Sequence, residues 1–224
     1  MKKRDLEERV RELKLENARL KAENTRLEDL SLKDPLTGLY NQKAFEELLE
    51  KEIVRSRRYG GNGDLSIIYL DLDNFKKYND TLSHLFGNNI LCGLASIIVE
   101  ECRMVDIPAR WGGDEFVIIL PNTKEEGAKK LADRIRCQVE NKLAKRYAIP
   151  DETVRDLGNL TVSVGVAYLG TVDSIVPEFK LMETDNIDAV VTVLTNSADQ
   201  AMYRAKYLGG NRVYVCDRET LLGT

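Results

Sequence analysis

Arg110-Trp111-Gly112-Gly113-Asp114-Glu115-Phe116 runs directly into Val117-Ile118-Ile119-Leu120-Pro121, and this stretch decides how the rest of the chain is read. Two glycines and two acids stand between an aromatic residue and an apolar run. A glycine pair lets the backbone take positive φ in a tight hairpin, and the flanking residues have the β-branched and aromatic character of strands. The hairpin therefore carries two carboxylates near its tip, with no obvious cationic partner close by in sequence. Two readings are open at this point. The acids are a solvated turn, or they hold a hard cation such as Mg²⁺, which prefers carboxylate oxygens.

A second acidic stretch supplies a partner. Leu65 to Leu72 is nearly continuous apolar, as expected of a strand buried on both faces, and it ends in Asp71-Leu72-Asp73. Open α/β sheets place ligands at the carboxyl ends of central strands, where Asp71 with Asp114 would supply two oxygens to a phosphate-bound Mg²⁺. The plainer alternative is that Asp71 and Asp73 only cap the next helix. Asn74-Phe75-Lys76-Lys77-Tyr78-Asn79-Asp80 then brings backbone amides and a lysine behind the aspartates, groups suited to phosphate.

The chain has 224 residues, 43% hydrophobic and 31% charged, enough for one ordinary domain plus an appendage. Its formal net charge of −4 disfavours a long nucleic acid as partner. No apolar run approaches the ~20 residues that cross a bilayer, and no signal-peptide core opens the chain, so a cytoplasmic protein without membrane contact is expected. Cys92, Cys102, Cys137 and Cys216 lack metal-like spacing and read as reduced, packed thiols. With His84 the single histidine, a His-based metal site or dyad is disfavoured.

Residues 1–32 read as a separate helix. Leu6, Leu13, Leu20 and Leu27 recur every seven residues, with Lys3, Val10, Asn17 and Asn24 at the other core position. Leucine at d with asparagine at a favours a parallel, in-register two-stranded coiled coil, hence a homodimer. The competing reading is a lone surface helix. Proline and glycine in Asp34-Pro35-Leu36-Thr37-Gly38-Leu39-Tyr40-Asn41 then break the helical pattern before a domain over 33–217 and a tail over 218–224. Helical spacing returns from Gln42 to about Tyr59, closed by Gly60-Gly61-Asn62-Gly63. It recurs over 89–102, over 124–144, and in a helix carrying Ala198, Ala201, Met202 and Ala205. Strands are expected over 160–169 and 212–216, and 170–190 reads as a long loop. The tally predicts an α/β fold, an α+β sandwich with a central mixed sheet.

With these pieces placed, residues 34–217 resemble the GGDEF domain of diguanylate cyclases. The resemblance is carried by Asp34 to Leu39, Asp71 to Asp80, Gly112 to Phe116 and Ala198-Asp199 through Asn211, in the family's order. It implies a palm-like fold shared with nucleotidyl cyclases. It also implies the joining of two GTP into cyclic di-GMP with release of pyrophosphate, by domains facing each other as a dimer. By the same resemblance, Asp71, the Leu72 carbonyl and Asp114 hold Mg²⁺, with Mn²⁺ as the alternative, and Glu115 is a further metal or hydroxyl-activating group. Lys76 and Lys206, with the amides of Asn74 and Phe75, match phosphate-binding positions; Asn79 and Asn88 match the guanine-reading pair. Arg103, Asp106 and Arg134 match an inhibitory site for cyclic di-GMP, against the plainer reading of a surface ion pair.

Four positions depart from the family pattern: Asn88 for aspartate, Ser83 for glycine, Gln42 for arginine, and Gly210 where an arginine often contacts phosphate. Aspartate accepts from both N1–H and the 2-amino group of guanine, whereas asparagine offers one acceptor and one donor. Relaxed base selectivity follows, with ATP as a second substrate and cyclic GMP-AMP among the products. The alternative function is a catalytically degenerate domain that binds nucleotide or cyclic di-GMP as a receptor.

Overall fold

Strand β1 (Leu65–Leu72) is buried at all eight positions and lies in the middle of the sheet. The structure, a computed structural model, describes residues 9–21, 27, 32–58, 64–147, 159–175 and 187–217. The chain divides into two compact units, Met1–Lys33 and Asp34–Thr224. In the first, residues 9–21 form helix α1. Val10, Leu13, Leu20 and Leu27 are all exposed, leaving the heptad stripe uncovered. Leu6, Lys3 and Asn24 of that repeat lie outside the described residues, as do Gly60 to Gly63 and the 218–224 tail.

In the second unit β2 (Ile107–Gly112), β3 (Glu115–Pro121), β4 (Val162–Tyr168) and β5 (Val213–Val215) join β1 in the order β2-β3-β1-β4-β5. β1 is antiparallel to both β3 and β4, β2 is antiparallel to β3, and β4 is parallel to β5, so the sheet is mixed. One face packs on α3 (Phe75–Thr81), α4 (His84–Glu101) and α5 (Glu125–Gln138), through Ile68, Leu70, Phe116, Ile118 and Val164. The other packs on α2 (Gln42–Arg58), α6 (Leu169–Ile175) and α7 (Ile187–Tyr207), through Ile67, Tyr69, Val117 and Ile119. With helices on both sides, neither face of β1 meets water, which is why its sequence is apolar without alternation. This is the α+β sandwich expected from the sequence.

Three details correct the sequence reading. The 170–190 segment is not all loop: Leu169–Ile175 is helical, because Leu169 and Val172, one turn apart, are both buried against α7's side of the core. Helix α4 begins at His84 rather than Asn89, capped by Ser83 Oγ, which accepts from the Phe86 amide at 3.3 Å. That start leaves His84 exposed, so of the two expectations for this histidine, packed or locally hydrogen-bonded, the first does not hold.

Helix α7 lies directly on β4. A Cβ on Gly165 would stand 2.0 Å from the Ala198 carbonyl oxygen and 2.3 Å from the Met202 amide nitrogen. Only a residue without a side chain lets these backbones meet, and the contact seats the α7 face carrying Asp199 and Lys206 against the sheet. Gly165→Ala is therefore expected to destabilise the fold by about 3 kcal/mol. A fall in Tm of roughly 6–12 °C by calorimetry would follow for a domain of this size; an unchanged Tm would contradict the contact.

Candidate active site

The hairpin turn is built by Gly113, at φ 43°, and Asp114, with Glu115 as the first residue of β3. Arg110 secures it. Its Nη2 and Nε donate to the Gly113 carbonyl at 2.6 and 3.1 Å, and its Nη1 lies 3.1 Å from Asp34 Oδ2. Asp34 Oδ1 also accepts from the Thr37 amide and hydroxyl at 2.8 and 2.6 Å. Burial opposes ionisation of Asp34, but the Thr37 donors and the Arg110 guanidinium outweigh it and hold its carboxyl below the usual range. Trp111 fixes the base of the hairpin, meeting Phe45 edge-on at 5.6 Å and the Tyr69 ring at 6.0 Å.

Across the β1–β3 ladder, Asp71 stands opposite Glu115. Asp71 is 7% exposed, and its enclosed Oδ1 lies 2.6 Å from Lys206 Nζ, an ion pair that lacks the alignment of a good hydrogen bond. Burial pushes the Asp71 carboxyl up to about 6. Lys206 works against that shift, and the nearby Asp114 and Glu115 charges add to it. Glu115 is raised by burial and by Asp199 and Asp114, offset by Lys206 and by a hydrogen bond from the Tyr69 hydroxyl. Asp199 is itself raised by burial, against the pull of Lys206. Among the described residues, Asp71, Glu115 and Asp199 thus share Lys206 as the cation that acts on them.

That imbalance fits a divalent cation. Among the described residues no three Asp, Glu, His or Cys side chains converge enough to hold a metal by themselves. Asp71 and the Leu72 carbonyl at the end of β1 and Asp114 on the adjoining turn are oxygen donors of the kind a hard divalent cation such as Mg²⁺ or Mn²⁺ takes. Asp199 is the residue the sequence reading left without a role. Its spacing of seven from Lys206 puts the two on one helix face, and that periodicity was the available signal.

The other positions fall around this centre. Asn74 sits at φ 60° and ψ 17° ahead of α3 and makes no side-chain cap, Phe75 is buried, and Lys76 is exposed on α3. Asn79 lies on α3 where that helix abuts α4, and Asn88 lies on α4. Asn79 Oδ1 is enclosed without a hydrogen-bond partner and lies 1.8 Å from where a Gly87 Cβ would stand, while Asn88, the next residue, is exposed. Gly87 is thus what allows Asn79 its place.

Arg103 and Asp106 close a turn into β2. Asp106 accepts from the Arg103 amide at 2.7 Å and from Arg103 Nη2 at 2.6 Å, and Nη2 also donates to Thr123 Oγ1 at 2.7 Å. Arg134, on α5, pairs with Glu101 at 3.0 Å. Cys102 lies amid these charges, its thiol pushed up to about 12, first by burial and then by Asp106. The structure therefore gathers Arg103, Asp106 and Arg134 into one region.

The sequence profile described as diguanylate cyclase, GGDEF domain, matches residues 31–212. The chain belongs to the GGDEF domain family of diguanylate cyclases. It is 35% identical over 199 residues to the diguanylate cyclase DgcP of Pseudomonas aeruginosa, covering 87% of this chain and 26% of that protein. To the diguanylate cyclase VdcA of Vibrio cholerae it is 31% identical over 199 residues, covering 89% of this chain and 51% of that protein. The chain thus spans about half or less of these relatives' length. Among solved structures, the coiled coil and GGDEF domain of DgcB from Caulobacter crescentus, in complex with c-di-GMP, is similar at TM-score 0.65 and 28% identity. The match covers 94% of this chain and 98% of that one.

The buried acid sets a pH dependence for this GGDEF domain. Folded Asp71 holds its proton more tightly than the unfolded chain, so its stabilising contribution is complete below the ordinary carboxyl value of 3.8 and is lost as pH rises through about 6. Without metal, Tm should fall across this window in the wild type, and Asp71→Asn should flatten the fall. A calorimetric series showing equal slopes would contradict the assignment.

Proposed function

We propose that this chain joins two GTP into cyclic di-GMP and two pyrophosphates, as a dimer in which each GGDEF domain presents one nucleotide. The observation that carries the reading is the under-neutralised acid end of the sheet: Asp71 against Glu115 across the ladder, Asp114 on the adjoining turn, and Lys206 as the close cation. Asp71, the Leu72 carbonyl and Asp114 would hold Mg²⁺ or Mn²⁺. When bound, those ions spread negative charge over phosphate oxygens and lower the pKa of a ribose hydroxyl.

The chain's own residues do the rest. Lys206 leaves Asp71 for a phosphate, and exposed Lys76 with the open amides of Asn74 and Phe75 binds the others. Each ribose 3′-hydroxyl attacks the α-phosphorus of the other nucleotide, and pyrophosphate departs in line. Glu115, whose grip on a proton is raised by burial and by Asp199, would accept the hydroxyl proton. Asn79 and Asn88 contact the base. Because the product joins two nucleotides, two domains must face each other, and the exposed leucine stripe of α1 supports pairing through a parallel coiled coil.

Asparagine at 88 presents a donor beside its acceptor, so selectivity against ATP should weaken. Incubation with Mg²⁺ and equal GTP and ATP should yield cyclic GMP-AMP beside cyclic di-GMP; cyclic di-GMP alone would refute relaxed selectivity. Asp114→Ala should lower product formation on the order of a hundredfold or more, the scale of losing one electrostatic stabiliser. Product from wild type and not from this variant also separates the cyclase from a receptor that only binds.

Arg103, Asp106 and Arg134 support a product-inhibition site. Arg103 keeps its side chain 53% exposed while Asp106 pins it, which presents a pre-oriented guanidinium to a guanine or phosphate. Arg103→Ala should weaken cyclic di-GMP binding by roughly 10-fold or more in calorimetric titration, on the scale of one charge-assisted contact. Equal affinity would remove the site from the account.

A further inference from the structure

Asp73, two residues beyond Asp71, has a different task from its neighbour. Its carboxylate is filled by neutral donors: Ser163 Oγ reaches Oδ1 at 2.6 Å, and Thr161 Oγ1 and the Asn211 amide reach Oδ2 at 2.7 and 3.0 Å. The Asp73 amide in turn donates to the Thr161 carbonyl at 2.9 Å. These bonds join three separate parts of the chain. Asp73 follows the end of β1, Thr161 immediately precedes β4, Ser163 is its second residue, and Asn211 lies in the turn after α7. Ser163 also stands opposite Asp71 in the ladder.

The turn held by Asp73 is the one that closes α7 just past Lys206. The Gly209 amide donates to the Lys206 carbonyl at 3.0 Å, and Gly209, Gly210 and Asn211 all take positive φ. A Cβ on Gly210 would stand 3.1 Å from Asp73 Oδ2, so glycine lets the turn lie against the carboxylate. Asn211 is anchored from the other side as well. Its Oδ1 accepts from Arg136 at 3.0 Å, and its Nδ2 donates to Glu140 at 2.9 Å.

We propose that Asp73 is a positioning residue: by tying β1, β4 and the α7–β5 turn together, it fixes the Leu72 carbonyl and Lys206 with respect to Asp71. The role rests on the cyclase reading above. Both oxygens of Asp73 are already engaged by neutral donors, so it acts through the residues on either side rather than by touching the ion. Groups that orient metal ligands from behind contribute about 10–100-fold in metal affinity.

Three variants test it: Asp73→Ala, Asp73→Asn, and the double variant Thr161→Val with Ser163→Ala. The readout is Mn²⁺ binding by electron paramagnetic resonance, with an α,β-methylene GTP analogue that does not react, alongside Tm. Asp73→Ala should weaken Mn²⁺ binding about 10–100-fold, and the double variant should weaken it in the same direction with every carboxylate still present. Asp73→Asn should stay within a few-fold of wild type, because its Oδ1 can take the Thr161 and Asn211 donors while its Nδ2 donates to Ser163 Oγ.

Asp73→Asn as weak as Asp73→Ala would mean that the charge itself acts, and would overturn positioning. Wild-type affinity in the double variant would overturn it too, even if Asp73→Ala fails to fold. A fall in Tm without a change in Mn²⁺ affinity would leave a structural role only and reject the proposal. Failure of the wild type itself to bind Mn²⁺ and nucleotide would instead remove the cyclase reading.

Discussion

The buried carboxylate of Asp71, set in a strand buried at all eight positions and answered by an ammonium group at 2.6 Å, is the interaction around which the rest is arranged. A carboxyl pushed up to about 6 is strained toward its neutral form at neutral pH, a penalty on the order of 3 kcal/mol. Asp114 and Glu115 deepen that strain instead of relieving it. A fold selected for stability alone would place an apolar residue here. Retaining the acids, with Lys206 as a cation able to leave, is the arrangement expected where a divalent ion and phosphates complete the charge balance.

Around this centre the fold acts as a set of clamps. Arg110 ties the hairpin turn to Asp34, the first residue of the catalytic unit, across 76 positions of sequence. Gly165 lets α7 lie on β4 so that Lys206 and Asp199 arrive over the sheet, and Gly87 does the same for α3 and α4 so that Asn79 fits. Asp73 closes the far side by joining β1 to β4 and to the turn after α7. The Arg110, Gly165 and Asp73 clamps join residues far apart in the chain, the Gly87 contact joins neighbouring helices, and each stands beside a group assigned to metal, phosphate or base.

This explains which parts were legible in the sequence. The unbroken apolar run of β1 announced burial on both faces, and Gly112-Gly113 between strand-forming residues announced the hairpin; both signals are local. Helix α6 escaped because Leu169, Val172 and Ile175 are the few apolar residues that mark it, among glycine, threonine, aspartate and serine that read as loop. Asp71 and Asp114 were singled out by residue type and position, but the partnership of Arg110 with Asp34, the closeness of Asn79 to Gly87 and the weight of Asp199 depend on tertiary contacts. No periodicity carries the first two. The third was present as a seven-residue spacing from Lys206 whose meaning appears only once α7 lies on the sheet.

The most direct measurement is a crystal structure with Mn²⁺ and the non-reacting α,β-methylene GTP analogue, with the metal located by anomalous scattering. The account predicts Mn²⁺ on Asp71, Asp114 and the Leu72 carbonyl, with Lys206 withdrawn from Asp71 and bound to phosphate. Mn²⁺ bound elsewhere, or Lys206 still paired with Asp71 beneath a bound nucleotide, would contradict it.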